Sequence, residues 1–138
     1  MAFLPLGVLP ISCYNTPMQN PDNILHAISQ IRAPLTRSEY DLHALIAGVF
    51  DAASIPYRHE ALVAPRRRVD FLCTTVAVEI KRGKPLHRPL LRQLLAYAES
   101  PMVGSMILVA DRAPVLPEAI LGKRLFAVSL ERLWGIAL

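Results

Sequence analysis

The spacing of hydrophobic positions changes period along this chain, and each change marks a new element. Leu42, Leu45, Ile46, Val49 and Phe50 recur at three- and four-residue intervals, the pattern of one helix face. Thr36-Arg37-Ser38-Glu39 precedes them with the form of a capping box, so the spacing predicts a helix from this point to about Ala53. From Tyr57 the period shortens to two. Tyr57 to Val63, Arg67 to Cys73 and Val76 to Lys81 read as three strands, the last two joined as a hairpin over Thr74-Thr75. Pro85 and Pro89 then punctuate the chain, and Leu90, Leu91, Leu94, Leu95 and Ala98 form the apolar face of a second helix. Ser105 to Ala110 is a continuous apolar run, as in a buried strand. Leu125 to Leu130 is expected to be another, followed by a helical turn over residues 131–138. Helix, three strands, helix, strand implies an α/β domain with a mixed central sheet flanked by helices.

That domain is expected to span residues 36–138. Residues 1–35 read as an N-terminal arm with one short helix, Pro21 to Ile31, which has Asn20 as cap and Pro21 at its first position.

Composition refines this picture. A length of 138 residues suits one domain with a real core. The chain is 53% hydrophobic, which suggests that a partner subunit, as in a homodimer, covers some of the surface. Its most apolar stretch, MAFLPLGVLPIS, is short, is broken by Pro5 and Pro10, and lacks a basic leader. No membrane span is expected. Cys13 and Cys73 form no metal or redox motif and read as reduced thiols of a cytoplasmic protein. The net charge of +4 concentrates around the hairpin, at Arg66, Arg67, Arg68, Lys81, Arg82, Lys84, Arg88 and Arg92. Clustered cations suit a polyanion, nucleic acid above all. Solvated surface charge is the plainer reading.

The hairpin carries the candidate chemistry. Val76, Val78 and Ile80 share one face of the second strand, and Ala77, Glu79 and Lys81 share the other. A turn centred between Thr74 and Thr75 sets Asp70 opposite Glu79. Opposed residues hold their Cβ atoms roughly 5 Å apart, and like charges there are destabilising. Burial adds a desolvation cost. Two such carboxylates call for a cation, and Mg²⁺ suits an oxygen donor set of this kind. Lys81, one pleat further on, reaches the same space. The competing reading is an edge strand with a solvated Glu-Lys pair.

Asp70 followed by Glu79-Ile80-Lys81 resembles the D-(x)n-(D/E)-x-K signature of the PD-(D/E)XK nuclease superfamily. Val69 stands where many members have proline. Gln93-Leu94-Leu95-Ala96-Tyr97 is similar to the Q-h-x-x-Y motif of RecB-like nucleases within that superfamily. The resemblance covers roughly residues 36 to 110. It implies a restriction-endonuclease-like core whose elements follow the order read above. It also implies a Mg²⁺- or Mn²⁺-dependent nuclease, acting most often on DNA. Asp70, Glu79 and the backbone carbonyl of Ile80 would hold the metal, and Lys81 would orient or activate the attacking water. Gln93 and Tyr97 would shape the site, and Arg82, Lys84, Arg88 and Arg92 would contact the DNA backbone. An acidic residue on the first helix often joins the metal. Glu39 is the match, although a cap shared with Thr36 would equally explain it. Glu60 is a weaker alternative ligand. The four histidines show no ligand spacing. Two further readings stand beside the nuclease: a non-catalytic nucleic-acid-binding module of the same fold, and an assembly protein.

Overall fold

The computed structural model describes residues 20–31 and 38–133. Within them the chain forms α1 (Pro21–Ser29), α2 (Glu39–Ala52), β1 (Arg58–Ala64), β2 (Arg67–Cys73), β3 (Val76–Lys81), α3 (His87–Ala98), β4 (Ser105–Ala110), β5 (Ala119–Ile120), β6 (Lys123–Ser129) and α4 (Leu130–Leu133). The expected order of helix, three strands, helix and strand is present. The class is α/β, with a mixed six-stranded sheet in the order β1-β2-β3-β4-β6-β5. β1, β2 and β3 are antiparallel neighbours, whereas β3, β4 and β6 run parallel. No helix among the described residues is long and apolar enough to cross a membrane.

One apolar layer fills each side of the sheet. On the first, Leu42, Ile46 and Phe50 of α2 pack with Phe71, Val78, Ile80, Ile107 and Val109. On the second, Leu90, Leu94, Tyr97 and Ala98 of α3 pack with Val69, Leu72, Ala77, Met106 and Leu108. Each fully buried aliphatic side chain contributes ~1.5–3 kcal/mol. α1 was expected within an arm, yet its Ile24, Ala27 and Ile28 are buried in the first layer. It is therefore part of the core. Asn20 caps it as expected, accepting from the Asn23 N–H at 3.0 Å.

The start of α2 differs from expectation. Ser38 is the cap, accepting from the Asp41 N–H, and the Asp41 carboxylate accepts from the Ser38 N–H in return, two residues later than the Thr36–Glu39 box. Thr36 lies outside the described residues. The helix begins at Glu39, so the residue just before it supplies the cap. Its buried stripe is narrower than predicted: Leu42, Ile46 and Phe50 are buried, while Leu45 and Val49 are half-buried. On α3, Leu95 is 41% exposed. The strand expected over Leu125 to Leu130 runs from Lys123 to Ser129, and Leu130 opens α4. Residues 134–138 of the expected terminal turn lie outside the described residues. The two-residue β5 was not anticipated, because a strand that short carries no period.

Candidate active site

β2 and β3 pair through Cys73↔Val76, Leu72↔Ala77 and Phe71↔Val78, the register that the turn predicts. Beyond Phe71↔Val78 the two carboxylates take over the bonding. The Asp70 N–H donates to Glu79 Oε1 at 3.4 Å, and the Ile80 N–H donates to Asp70 Oδ2 at 2.7 Å. An extended residue turns its N–H and C=O to the same side, so the Ile80 carbonyl also faces β2.

A shift in strand alternation places Asp70 there. β1 and β2 keep one register on both sides, with His59↔Phe71 before it and Ala61↔Val69 after it. His59 stacks on Phe71 in the α2 layer, whereas Ala61 and Val69 lie in the α3 layer. Regular strands would keep residues two apart on one face. Glu60, opposite Asp70, has φ +51°, a conformation costly for a residue with a side chain. Asp70 thereby bonds to β3 through Oδ2 while Oδ1 lies 3.8 Å from His43 Nε2 on α2.

Glu79 is 5% exposed and belongs to an interior strand. The solvated edge-strand reading therefore does not describe it. Lys81 Nζ lies 3.3 Å from Glu79 Oε2. From α3, Gln93 Nε2 donates to Glu79 Oε2 at 2.9 Å and to the Tyr97 hydroxyl at 2.8 Å. The Tyr97 hydroxyl has 2.8 Å to the Arg68 carbonyl and 3.3 Å to Glu79 Oε1. Its single proton serves one of them at a time, and the Arg68 carbonyl is nearer. Gln93 and Tyr97 stand one helical turn apart, so a single face of α3 grips Glu79.

Burial and the Asp70 charge push Glu79 up to about 7, against the pull of Lys81. Burial also raises Asp70, while the Ile80 N–H, His43 and Lys81 pull it down and Glu39 adds to the rise. Burial is thus the main cost of the charged forms, and repulsion from Asp70 adds to it at Glu79. Burial and the charge of Glu79 raise Tyr97 further above its ordinary range.

The remaining candidates are spread around this centre. Glu39 does not cap α2; it is exposed, close enough for its charge to act on Asp70. Lys84, Arg88 and Arg92 are exposed, and the last two lie four residues apart on α3. Arg82 is engaged inside the protein, its Nε donating to Asp111 Oδ2 at 2.9 Å. The same oxygen accepts from the Gly83 N–H at 2.6 Å, and Gly83 has φ +68°, which glycine adopts without strain. Asp111 at the end of β4 thus fastens the turn that follows Lys81.

His43 and Asp111 were not singled out from the sequence, and His59 was weighed there only as a phosphate contact, with His87 beside it. His43 Nδ1 and His59 Nε2 are 2.9 Å apart, so two histidines without sequence spacing do form a pair. Their sixteen-residue separation hides it, although Glu39 and His43 at i and i+4 could have flagged that face of α2. Asp111 directly follows a fully buried strand, and the carboxyl ends of parallel strands often carry function. Among the described residues, no group of three or more His, Cys, Asp and Glu converges as a metal site. No family model matches this chain, and no curated protein or solved structure matches it.

Proposed function

We propose that this chain is a metal-dependent nuclease of the restriction-endonuclease-like fold that hydrolyses phosphodiester bonds, in DNA before other substrates. One observation carries the reading. Asp70 and Glu79 meet where the β2–β3 ladder ends, with Lys81 against Glu79 at 3.3 Å and Gln93 at 2.9 Å. A purely structural site has little use for a buried glutamate facing a partly buried aspartate that repels it.

The donor set fits a hard divalent ion. Asp70, Glu79 and the Ile80 carbonyl offer oxygen alone, and Mg²⁺ often takes one or two carboxylates and keeps several waters. Mn²⁺ suits the same oxygens. When bound, such an ion supplies positive charge for the phosphoryl oxygens as the transition state forms.

The chain's own residues do the positioning. Gln93 fixes the plane of the Glu79 carboxylate, and the Ile80 N–H fixes that of Asp70. Lys81, with a third of its side chain exposed, presents its ammonium to the open side of the pair. There it orients the attacking water and offsets charge on the scissile phosphate. Arg88 and Arg92 hold the strand by its phosphates, which positions it without reading sequence. Arg82 acts through Asp111, steadying the turn behind Lys81.

Incubation with linear, circular, branched and single-stranded DNA tests the reading. Products are expected with Mg²⁺ or Mn²⁺ and none in EDTA. Binding without metal-dependent products on any substrate would favour a non-catalytic binding module.

A further inference from the structure

A cleft of about 500 Å³ opens beside Asp70, lined by Glu39, Tyr40, His43, Ala44, His59 and Glu60 among others. Its volume falls within the ~300–1,000 Å³ of small-ligand sites. It adjoins the carboxylate pair, because His43 is a lining residue and also lies 3.8 Å from Asp70. Its chemistry contrasts with the opposite side of the pair. The described lining contains two glutamates, two histidines and a tyrosine, and neither lysine nor arginine. Arg88 and Arg92 stand instead on α3, the helix that reaches Glu79 from the other face of the sheet. Glu39 and Glu60 disfavour a backbone phosphate inside the cleft, whose edge carries the Arg68 guanidinium on the Glu60 carbonyl at 3.1 Å, so a nucleic-acid strand crossing the site would keep its phosphates out of the cleft and toward α3. A base, by contrast, carries no charge and has a π-face. Tyr40 is 83% exposed at the cleft, an aromatic surface free to stack, and His59 is held in a fixed plane against Phe71.

We propose that this cleft receives an unpaired base of the substrate strand, so that the enzyme acts on single-stranded ends, flaps or other unpaired nucleotides in preference to uninterrupted duplex. The inference rests on the nuclease reading for its catalytic consequence. A base within a duplex is stacked and cannot offer its face to Tyr40 unless it is extruded, which costs its stacking and pairing. A base that is already unpaired avoids that cost.

Fluorescence anisotropy in EDTA, with a labelled single strand and a labelled blunt duplex of the same sequence, tests the cleft without requiring cleavage. The single strand is expected to bind more tightly. Tyr40→Ala should reduce the preference for single strand over duplex by about 5- to 150-fold, the loss that truncating one stacking aromatic brings. Tyr40→Phe, which keeps the ring, should restore it. Equal or tighter binding of the blunt duplex by wild type, or a preference unmoved by Tyr40→Ala, would overturn the proposal. Failure of the two readings is distinguishable. Tyr40-dependent single-strand binding with no cutting in Mg²⁺ or Mn²⁺ would keep the base cleft and remove the nuclease. Metal-dependent cutting with a Tyr40-independent preference would do the reverse.

Discussion

Glu79 is where the physics of single residues is sharpest. Its ordinary value of 4.5 rises to about 7 in the folded chain, through burial first and the Asp70 charge second. A folded state that holds this proton longer than the unfolded state is stabilised by it. That stabilisation is complete below the ordinary carboxylate range and is lost as pH rises through about 7. Without metal, the wild-type melting temperature should therefore fall between pH 4.5 and 7. Glu79→Gln, which cannot ionise, should escape that fall and melt higher than wild type at neutral pH in EDTA. Thermal melts across this range check it. A variant melting well below wild type would mean that Lys81, Gln93 and the Asp70 amide hold Glu79 ionised. Lys81 makes a separate prediction, because it contacts Glu79 without offering a metal ligand. Lys81→Ala should lose most turnover, and calorimetric titration should show that Mn²⁺ binding survives. Lost binding with a full rate in excess metal would contradict its assigned role.

At the scale of elements, β2, β3 and β4 were legible to the residue, because Arg67–Cys73, Val76–Lys81 and Ser105–Ala110 are bounded by turns and most of their buried residues are apolar. The register of the hairpin was legible too, since its two-residue turn leaves little choice. The β1–β2 shift was not. It depends on Glu60 adopting φ +51° opposite Asp70, a choice that no local pattern announces. That shift decides what Asp70 touches, so the placement of His43 beside it was hidden as well. The cap of α2 was misplaced because two overlapping S/T-x-x-D/E patterns, Thr36–Glu39 and Ser38–Asp41, compete within six residues. On α3 the pair that reaches Glu79 was readable, since Gln93 and Tyr97 lie at i and i+4, and Arg88 and Arg92 share that spacing. If the second pair holds phosphates, Arg88→Ala or Arg92→Ala should weaken DNA binding about equally for all sequences. Each should also lower the slope of log affinity against log salt by about 1. Unchanged slopes in both variants would put the nucleic-acid path elsewhere.

Across the whole molecule, two apolar layers and one interrupted ladder serve a single arrangement. The α2 layer and the α3 layer clamp β3 from both faces, so Glu79 is buried at 5% exposure while Lys81 emerges at the strand's end. α2 brings His43 to Asp70 from one side, and α3 brings Gln93 and Tyr97 to Glu79 from the other. The sheet thus separates an acidic, aromatic cleft from a basic helix, with the carboxylates between them. Cutting by wild type and by Asp70→Ala, compared on the same DNA with Mn²⁺ and with EDTA, tests this account most directly. Asp70 is only partly buried, and circular dichroism can establish that the variant is folded. The account predicts products from wild type with Mn²⁺, none in EDTA, and none from the folded variant in either condition. Undiminished, metal-dependent cutting by folded Asp70→Ala would contradict it.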